Sequence, residues 1–331
     1  MNLLLFYFLV TLLKKYAILL ILLTVIIFPV LFSTIATKAY ASNEKPIVVC
    51  TTSVLESIVK DLAGDRVITE VIASPAVCPA HYDVKPSDVD AFKEAKLIIA
   101  HGFEPWVKSL KEASGTKASI VYIKGGWNTP DELKSRYTAV ASALKDYLGL
   151  DLSDRLNKCL NAIDNTKSWL LKFADENGFK DTPVICMLWQ KSFIKFLGFK
   201  IVATYKPPEL VSAKEYESII KNGTSEHAIL VIDNIQSGTD FGKKVANEVG
   251  AVEVALTNFP GVMVGTANVT EMMKYNAYLL SQGLKHAKLA EEVIPLKNEI
   301  SLWRSIAIIS IAVAVIFIIT TAILVIRLRK A

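Results

Sequence analysis

The sequence has few charges and few of the residues that usually bind metals. Charged residues make up 21% of its 331 residues, and there are four histidines and four cysteines. It contains no G-x-x-x-x-G-K-[ST], G-x-G-x-x-G or G-x-S-x-G pattern. Nucleotide binding through such loops and α/β-hydrolase catalysis therefore have no support. An apolar fraction of 52% excludes an intrinsically disordered chain.

Acidic residues are absent from both ends of the chain. All 32 of them lie within residues 42–302, whereas seven of the 37 basic residues lie outside that range. The middle of the chain therefore carries a net charge of −2, although the whole chain carries +5. Because the excess of positive charge is confined to apolar ends, it favours membrane flanks, and we expect no nucleic-acid partner.

Residues 1–41 are predicted to be a secretory signal peptide. Lys14 and Lys15 precede the apolar run 16–37, and Ala39-Tyr40-Ala41 forms a small-x-small cleavage pattern. An uncleaved N-terminal anchor is the alternative. No cysteine follows the cleavage point, so a bacterial lipid anchor is not indicated.

The C-terminal segment 303–326 is predicted to be a transmembrane anchor. Its apolar run, 306–326, is long enough to cross a bilayer, and Trp303 stands at its start. The basic tail 327–331 follows directly, and positive charge of this kind stays in the cytoplasm. We therefore expect a cell-membrane protein with one C-terminal pass and a globular body outside the cytoplasm.

Between these ends, short β-branched runs alternate with amphipathic helical patterns. The predicted strands are IVVCT (47–51), VITEVIA (67–73), KLIIAH (96–101), SIVYI (119–123), VICML (184–188), KIVAT (200–204), AILVID (228–233) and VEVAL (252–256). One predicted helix begins at Thr52 or Ser53 and ends at Gly64, and another is capped by Ser87. This alternation predicts parallel sheets covered by helices on both faces.

A long helical pattern at 152–177 separates the strands into two groups. Apolar residues recur on one face of it: Leu156, Leu160, Ile163, Leu170 and Ala174. The sequence thus predicts an α/β fold with two doubly wound lobes, 42–150 and 181–302, bridged by one linking helix within 151–180. Ligands of open α/β sheets lie beyond the carboxyl ends of the strands, so we expect a ligand cleft between the lobes.

Several segments resemble one family in their order and spacing, over about residues 46–285. They are VVCTT (48–52), GDRV (64–67), PAHY (79–82), KPSDV (85–89), GFEPW (102–106) and MKYN (273–276). They are similar to the zinc/manganese-type solute-binding proteins of ABC importers, in which one loop reads roughly D-P-H-x-Y-E-P-x-P-S-D. The resemblance implies two lobes, a rigid linking helix and a divalent metal in the cleft.

The resemblance also implies four metal ligands, and this sequence retains one of them. His81 stands where the family has the histidine of its P-H-x-Y loop. The second histidine falls at Gly125, the histidine or glutamate of the second lobe at about Met187, and the late aspartate at Asn258. Glycine, methionine and asparagine are poor replacements at a Zn²⁺ or Mn²⁺ site.

Other soft or polar groups are predicted at the same strand ends. Cys78, Cys186 and His101 join His81 as candidate metal ligands, because thiolate and imidazole together favour Zn²⁺ or softer ions such as Cu(I). A second set is predicted to bind ligand by stacking and hydrogen bonding: Trp189, Gln190, Asn234 and Asn258. Purely structural roles for these residues stay open, since a histidine at the end of a strand is often structural and four extracytoplasmic cysteines can form two disulfides.

We therefore predict a non-catalytic, extracytoplasmic substrate-binding subunit of an ABC uptake transporter. Its expected cargo is one transition-metal ion, zinc or a softer ion, and its expected partners are a permease and an ATPase. One alternative keeps the fold but binds a metal chelate or a small organic solute. A sensor or adhesin without transport is another.

Overall fold

The computed structural model describes residues 6–22 and 44–330, which fall into two compact units separated before Pro46. The first unit contains helix α1 (residues 6–22), whose side chains are largely exposed. The predicted cleavage pattern 39–41 and most of the apolar run 16–37 lie outside the described residues. The second unit contains all the strands of the described chain and the other helices.

The first lobe is built on four parallel strands in the order β2-β1-β3-β4. The strands are β1 (Ile47–Cys50), β2 (Ile68–Val71), β3 (Leu97–Ala100) and β4 (Ser119–Tyr122). The helices are α2 (Ser53–Ala63), α3 (Pro86–Glu94), α4 (Val107–Ser114) and α5 (Pro130–Leu148). Helix α2 begins after Thr52 and ends at Gly64, as predicted, whereas α3 begins at Pro86 with Lys85 as its N-cap, so Ser87 lies inside it.

The second lobe repeats the same strand order, β6-β5-β7-β8, with every pair parallel. The strands are β5 (Pro183–Met187), β6 (Lys200–Tyr205), β7 (Leu230–Asn234) and β8 (Val252–Leu256). Helices α7 (Lys191–Phe196), α8 (Ala213–Ser225) and α9 (Asp240–Val249) follow its strands. All eight predicted strands are confirmed, with boundaries that shift by one or two residues.

Helix α6 (Ser153–Glu176) links the two lobes, close to the predicted span. Ile163, Leu170 and Ala174 are buried on the predicted face, while Leu156 and Leu160 are half-buried against the same core. This core is continuous through both lobes and α6. The linking helix is therefore packed against both lobes and restricts their relative motion.

Helix α10 (Val269–Lys330) runs from the second lobe to the end of the described chain. Its first part packs against β8, with Met272, Met273 and Leu280 fully buried. Its last part, Glu299–Leu328, is long and apolar enough to cross a membrane. No residue of its most apolar 18-residue stretch is buried. The candidate anchor is thus a direct continuation of a helix of the second lobe.

A buried carboxyl group lies beneath the carboxyl end of β7. Asp233 is 1% exposed and accepts a hydrogen bond from the hydroxyl of Tyr205 on β6. The other groups that face it are Glu253 on β8 and Lys243 on α9. Burial raises the pKa of Asp233 from about 3.8 to about 7, and Glu253 adds to the rise while the Tyr205 hydroxyl opposes it.

The backbone of α9 comes unusually close to this carboxyl group. A Cβ atom built on Gly242 would lie 1.8 Å from Oδ2 of Asp233. Residue 242 must therefore be glycine for the carboxyl group to stay in place.

This arrangement predicts a pH-dependent stability. The pKa of Asp233 is higher in the folded state than in the unfolded chain, so the folded state binds the proton more tightly. The stabilisation that this proton provides is present at low pH and is lost as pH rises from about 4 through about 7. We expect Asp233→Asn, which keeps an acceptor for Tyr205, to lose less stability than the wild type between pH 5 and pH 8. Urea unfolding midpoints at the two pH values test this.

Tyr205→Phe is the matched control for this prediction. It removes the hydrogen bond that lowers the pKa of Asp233, so the loss of stability should move to higher pH. Parallel curves for the wild type and Asp233→Asn would contradict the prediction.

Candidate functional site

A cavity of about 450 Å³ lies between the lobes, where the carboxyl ends of both sheets meet. Four aromatic residues contribute to its walls: Phe103, Trp127, Trp189 and Phe259. Four side-chain amides do so as well: Asn128, Asn234, Gln236 and Asn258. Among the described residues that line this cleft, Cys78 is the only one with an ionisable side chain.

The loop that carries Cys78 is held by residues of the P-S-D pattern. The indole Nε1 of Trp106 donates a hydrogen bond to the carbonyl of Pro79 at 2.7 Å. Tyr82 packs on Trp106, and its hydroxyl donates to Asp88 at 3.0 Å. Asp88 also accepts a bond from the backbone N–H of Lys85 at 2.7 Å. These residues therefore position the rim of the cleft.

The carboxylate of Glu104 fixes the loop after β3. It is 6% exposed and accepts hydrogen bonds from Thr51 Oγ1 at 2.5 Å, His101 N at 3.0 Å and Gly102 N at 2.7 Å. The protein itself therefore supplies hydrogen-bond donors to both oxygens of this buried carboxylate. Its effect is to place Phe103 at the cleft wall.

His101 lies behind the cleft wall. It is 3% exposed, and its ring stacks on those of Trp127 and Phe103, with centroids 4.4 and 5.3 Å away. Its Nε2 lies 2.8 Å from Oγ1 of Thr52. Burial lowers its pKa to about 4 despite the nearby carboxylate of Glu104, so the ring is neutral at pH 7 and supports Trp127.

His81 and Cys186 are not at the cavity wall. The His81 side chain is 67% exposed, and its Nε2 lies 3.8 Å from Glu209 of the second lobe. Cys186 is fully buried in β5, where burial raises the pKa of its thiol to about 12. All four cysteines have free thiols.

The four predicted metal ligands are therefore not brought together. Only Cys78 lines the cleft, His81 is at its outer rim, His101 is behind its wall, and Cys186 is in the core. Throughout residues 6–22 and 44–330, no three His, Cys, Asp or Glu side chains are grouped closely enough to hold a metal ion. The physical reason is that Trp127 covers His101 and that β5 holds Cys186 in the core.

The predicted ligand-binding residues fit the cleft better. Trp189, Asn234 and Asn258 line it, whereas Gln190 is 1% exposed and lies beside it. The amide Oδ1 of Asn258 accepts a bond from Asn128 Nδ2 at 3.1 Å. Asn258, which stands where the resemblance has its late aspartate, is thus an amide that is hydrogen-bonded to another amide.

The two other positions that depart from the resemblance are closed to a metal ligand. Gly125 has φ +108°, a conformation that residues with a side chain rarely adopt, and a Cβ there would lie 2.8 Å from Nη1 of Arg136. Met187 is 1% exposed and packs in the core of the second lobe. Neither position therefore offers a side chain that could reach into the cleft as a metal ligand.

Sequence reasoning missed the residues that hold the lobes together. Trp127 Nε1 donates to the carbonyl of Asn258 at 2.8 Å, and Asn128 Nδ2 donates to the carbonyl of Trp189 at 2.9 Å. Gln236 Nε2 donates to the carbonyl of Pro75 at 3.0 Å. In the sequence, these residues are marked only by their positions after predicted strands. The bonds themselves could not be predicted, because each depends on how far apart the two lobes lie.

Comparison with known proteins supports the resemblance in the first half of the chain. A family model described as "Zinc-uptake complex component A periplasmic" (ZnuA) matches residues 48–171. The manganese ABC transporter substrate-binding lipoprotein PsaA of Streptococcus pneumoniae is 34% identical over 89 residues. That alignment spans 27% of this chain and 29% of the length of PsaA.

Solved structures confirm the predicted fold class. A crystal structure of ZnuA shares 17% identity and covers 73% of this chain and 100% of its own, with a TM-score of 0.62. The periplasmic zinc-binding protein TroA of Treponema pallidum has 14% identity, coverage of 73% and 99%, and a TM-score of 0.64. A manganese-bound periplasmic metal-binding protein of Candidatus Liberibacter asiaticus has 14% identity, coverage of 72% and 100%, and a TM-score of 0.63.

The geometry at Gly125 predicts that a histidine there cannot rebuild a metal site. We expect Gly125→His to destabilise the protein by about 1–3 kcal/mol, because of its positive φ and its contact with Arg136. ZnCl₂ should not restore this loss in thermal unfolding. Gly115→Ala, at φ +61° with open space around it, is the control for the backbone cost alone. Stabilisation of Gly125→His by zinc, absent from the wild type, would contradict the prediction.

Proposed function

We propose that this chain is the extracytoplasmic substrate-binding subunit of an ABC uptake transporter and that its cargo contains a metal. The observation that carries the proposal is the cleft at the carboxyl ends of two parallel sheets, in a fold shared with zinc- and manganese-binding proteins. The match of residues 48–171 to a zinc-uptake family supports the same conclusion. Capture between two lobes and delivery to a permease follow from this assignment.

The proposed partners are a permease and an ATPase in the same membrane. PsaA is named as the substrate-binding component of a manganese ABC transporter, and an 89-residue stretch of this chain is similar to it in sequence. A capture subunit performs no chemical step.

The proposed location is outside the cytoplasm, on a C-terminal tether. The span Glu299–Leu328 is apolar, Trp303 lies near its start, and Arg327 and Lys330 follow its core. Aromatic residues favour the membrane interface and basic residues the cytoplasmic side. This orientation leaves both lobes on the outer face.

Loss of the gene in the source organism should lower the cellular content of one transition metal several-fold during growth in metal-poor medium. Elemental analysis of washed cells measures this. The wild-type gene and Trp169→Ala, which changes an exposed tryptophan on α6, should restore the content, whereas Trp189→Ala at the cleft should not. Unchanged contents of manganese, iron, cobalt, nickel, copper and zinc would contradict the proposed transport.

Protease treatment of intact cells tests the orientation. We expect the body of the protein to be digested while an epitope tag after Ala331 is protected until the membrane is permeabilised. A tag that is digested first, with the lobes protected, would reverse the topology.

A further inference from the structure

The cleft is large for a bare metal ion. Its volume is about 450 Å³, within the range of roughly 300–1,000 Å³ that is usual for small organic ligands. A single water molecule occupies about 30 Å³ of liquid, and an ion without its water is of similar size or smaller. An ion bound alone would therefore leave most of the cleft to solvent.

The walls of the cleft also have the wrong chemistry for a bare ion. Zn²⁺ sites use three or four thiolate, imidazole or carboxylate ligands, and hard divalent ions use several charged oxygens. The described cleft residues supply one thiol, Cys78, together with neutral amides and hydroxyls. The residues present therefore do not fit a site for a naked cation.

A positive charge stands beside the cleft at the position of the missing histidine. The guanidinium of Arg136 lies over Gly125, 2.8 Å from where a Cβ would be, and Gly126 and Trp127 of the wall follow directly. This cation is close enough to oppose protonation of His101. The carboxylate of Glu132 lies equally close to Gly126, 2.7 Å from where a Cβ would be, so the two charges offset each other and favour an electrically neutral guest.

Aromatic faces provide a surface for a flat molecule. Phe103 and Trp127 lie nearly parallel, with an interplanar angle of 21°, and Trp127 also contacts Phe259. Trp189 on the opposite lobe is 46% exposed at the cleft. Stacking on such rings stabilises an aromatic guest beyond the effect of the area that is buried.

Two wall amides have an unused hydrogen-bonding atom. Asn234 is 2% exposed, and its Nδ2 donor has no partner. The Oδ1 acceptor of Asn128 is also buried without a partner. A buried polar atom without a partner destabilises the protein, so each is a point at which a ligand would be stabilised. One donor and one acceptor on the walls match the edge of a neutral organic molecule.

We propose that this cleft binds a flat, conjugated, electrically neutral organic molecule, stacked on its tryptophans and hydrogen-bonded to Asn234 and Asn128. A metal carried by this protein then enters inside such a molecule, as its chelate, and not as a bare ion. The inference rests on the proposed role of the chain as a solute-binding subunit and specifies the class of solute.

The test uses the full chain in detergent, with tryptophan fluorescence and titration calorimetry. The probes are 8-hydroxyquinoline, its neutral 2:1 complex with zinc, a panel of other uncharged two- and three-ring heterocycles, and ZnCl₂ or MnCl₂ alone. We expect one or more flat probes to bind and Trp189→Ala to weaken that binding at least 10-fold. The matched variant Trp169→Ala should bind as the wild type does, and the bare ions should not bind.

Binding of the free heterocycle or of its metal complex both support the inference, and the difference between them identifies whether the metal is part of the ligand. Tight binding of ZnCl₂ or MnCl₂ alone that is lost in His81→Ala would overturn the inference and leave the proposed function intact. No binding by any flat probe would also overturn it. Failure of the proposed function is seen separately, as unchanged metal contents in cells without the gene.

Discussion

The two lobes meet through hydrogen bonds between neutral groups, and the geometry of the cleft depends on them. Trp127 reaches the carbonyl of Asn258, Asn128 reaches that of Trp189, and Gln236 reaches that of Pro75. Ser53 adds a buried bond to the carbonyl of Pro260 at 2.8 Å. Together with the apolar core that both lobes share, these bonds set the distance between the two walls of the cleft.

Much of the fold could be predicted from the sequence because its determinants are local. Alternating β-branched runs and amphipathic stretches located the eight strands, and the apolar spacing from Ile163 to Ala174 located the linking helix. The site was less predictable, since it depends on which residues face each other across two lobes. Trp189, Asn234 and Asn258 were found at strand ends, but Cys186 faces the core from the same kind of position.

The motifs that carry the family resemblance and the residues that line the cleft follow different physical demands. The Pro-Ser-Asp loop and Glu104 provide hydrogen bonds that hold loops in place, and any cargo requires that support. At the positions where the resemblance implies metal ligands, this chain has Gly125, Met187 and Asn258, and of these only Asn258 lines the cleft. The resemblance in scaffold residues therefore supports the architecture directly, whereas the residues of the cleft have different partners and are not determined by it.

The uninterrupted course of α10 has a mechanical consequence. From Ala287, which packs in the core, to Glu299, where the candidate span begins, the helix rises by only about 18 Å. With the proposed span in a membrane, such a stalk would hold the cleft at a nearly constant height above the bilayer. A captured solute would then be presented by a short tethered arm, at high local concentration, instead of by a freely diffusing carrier.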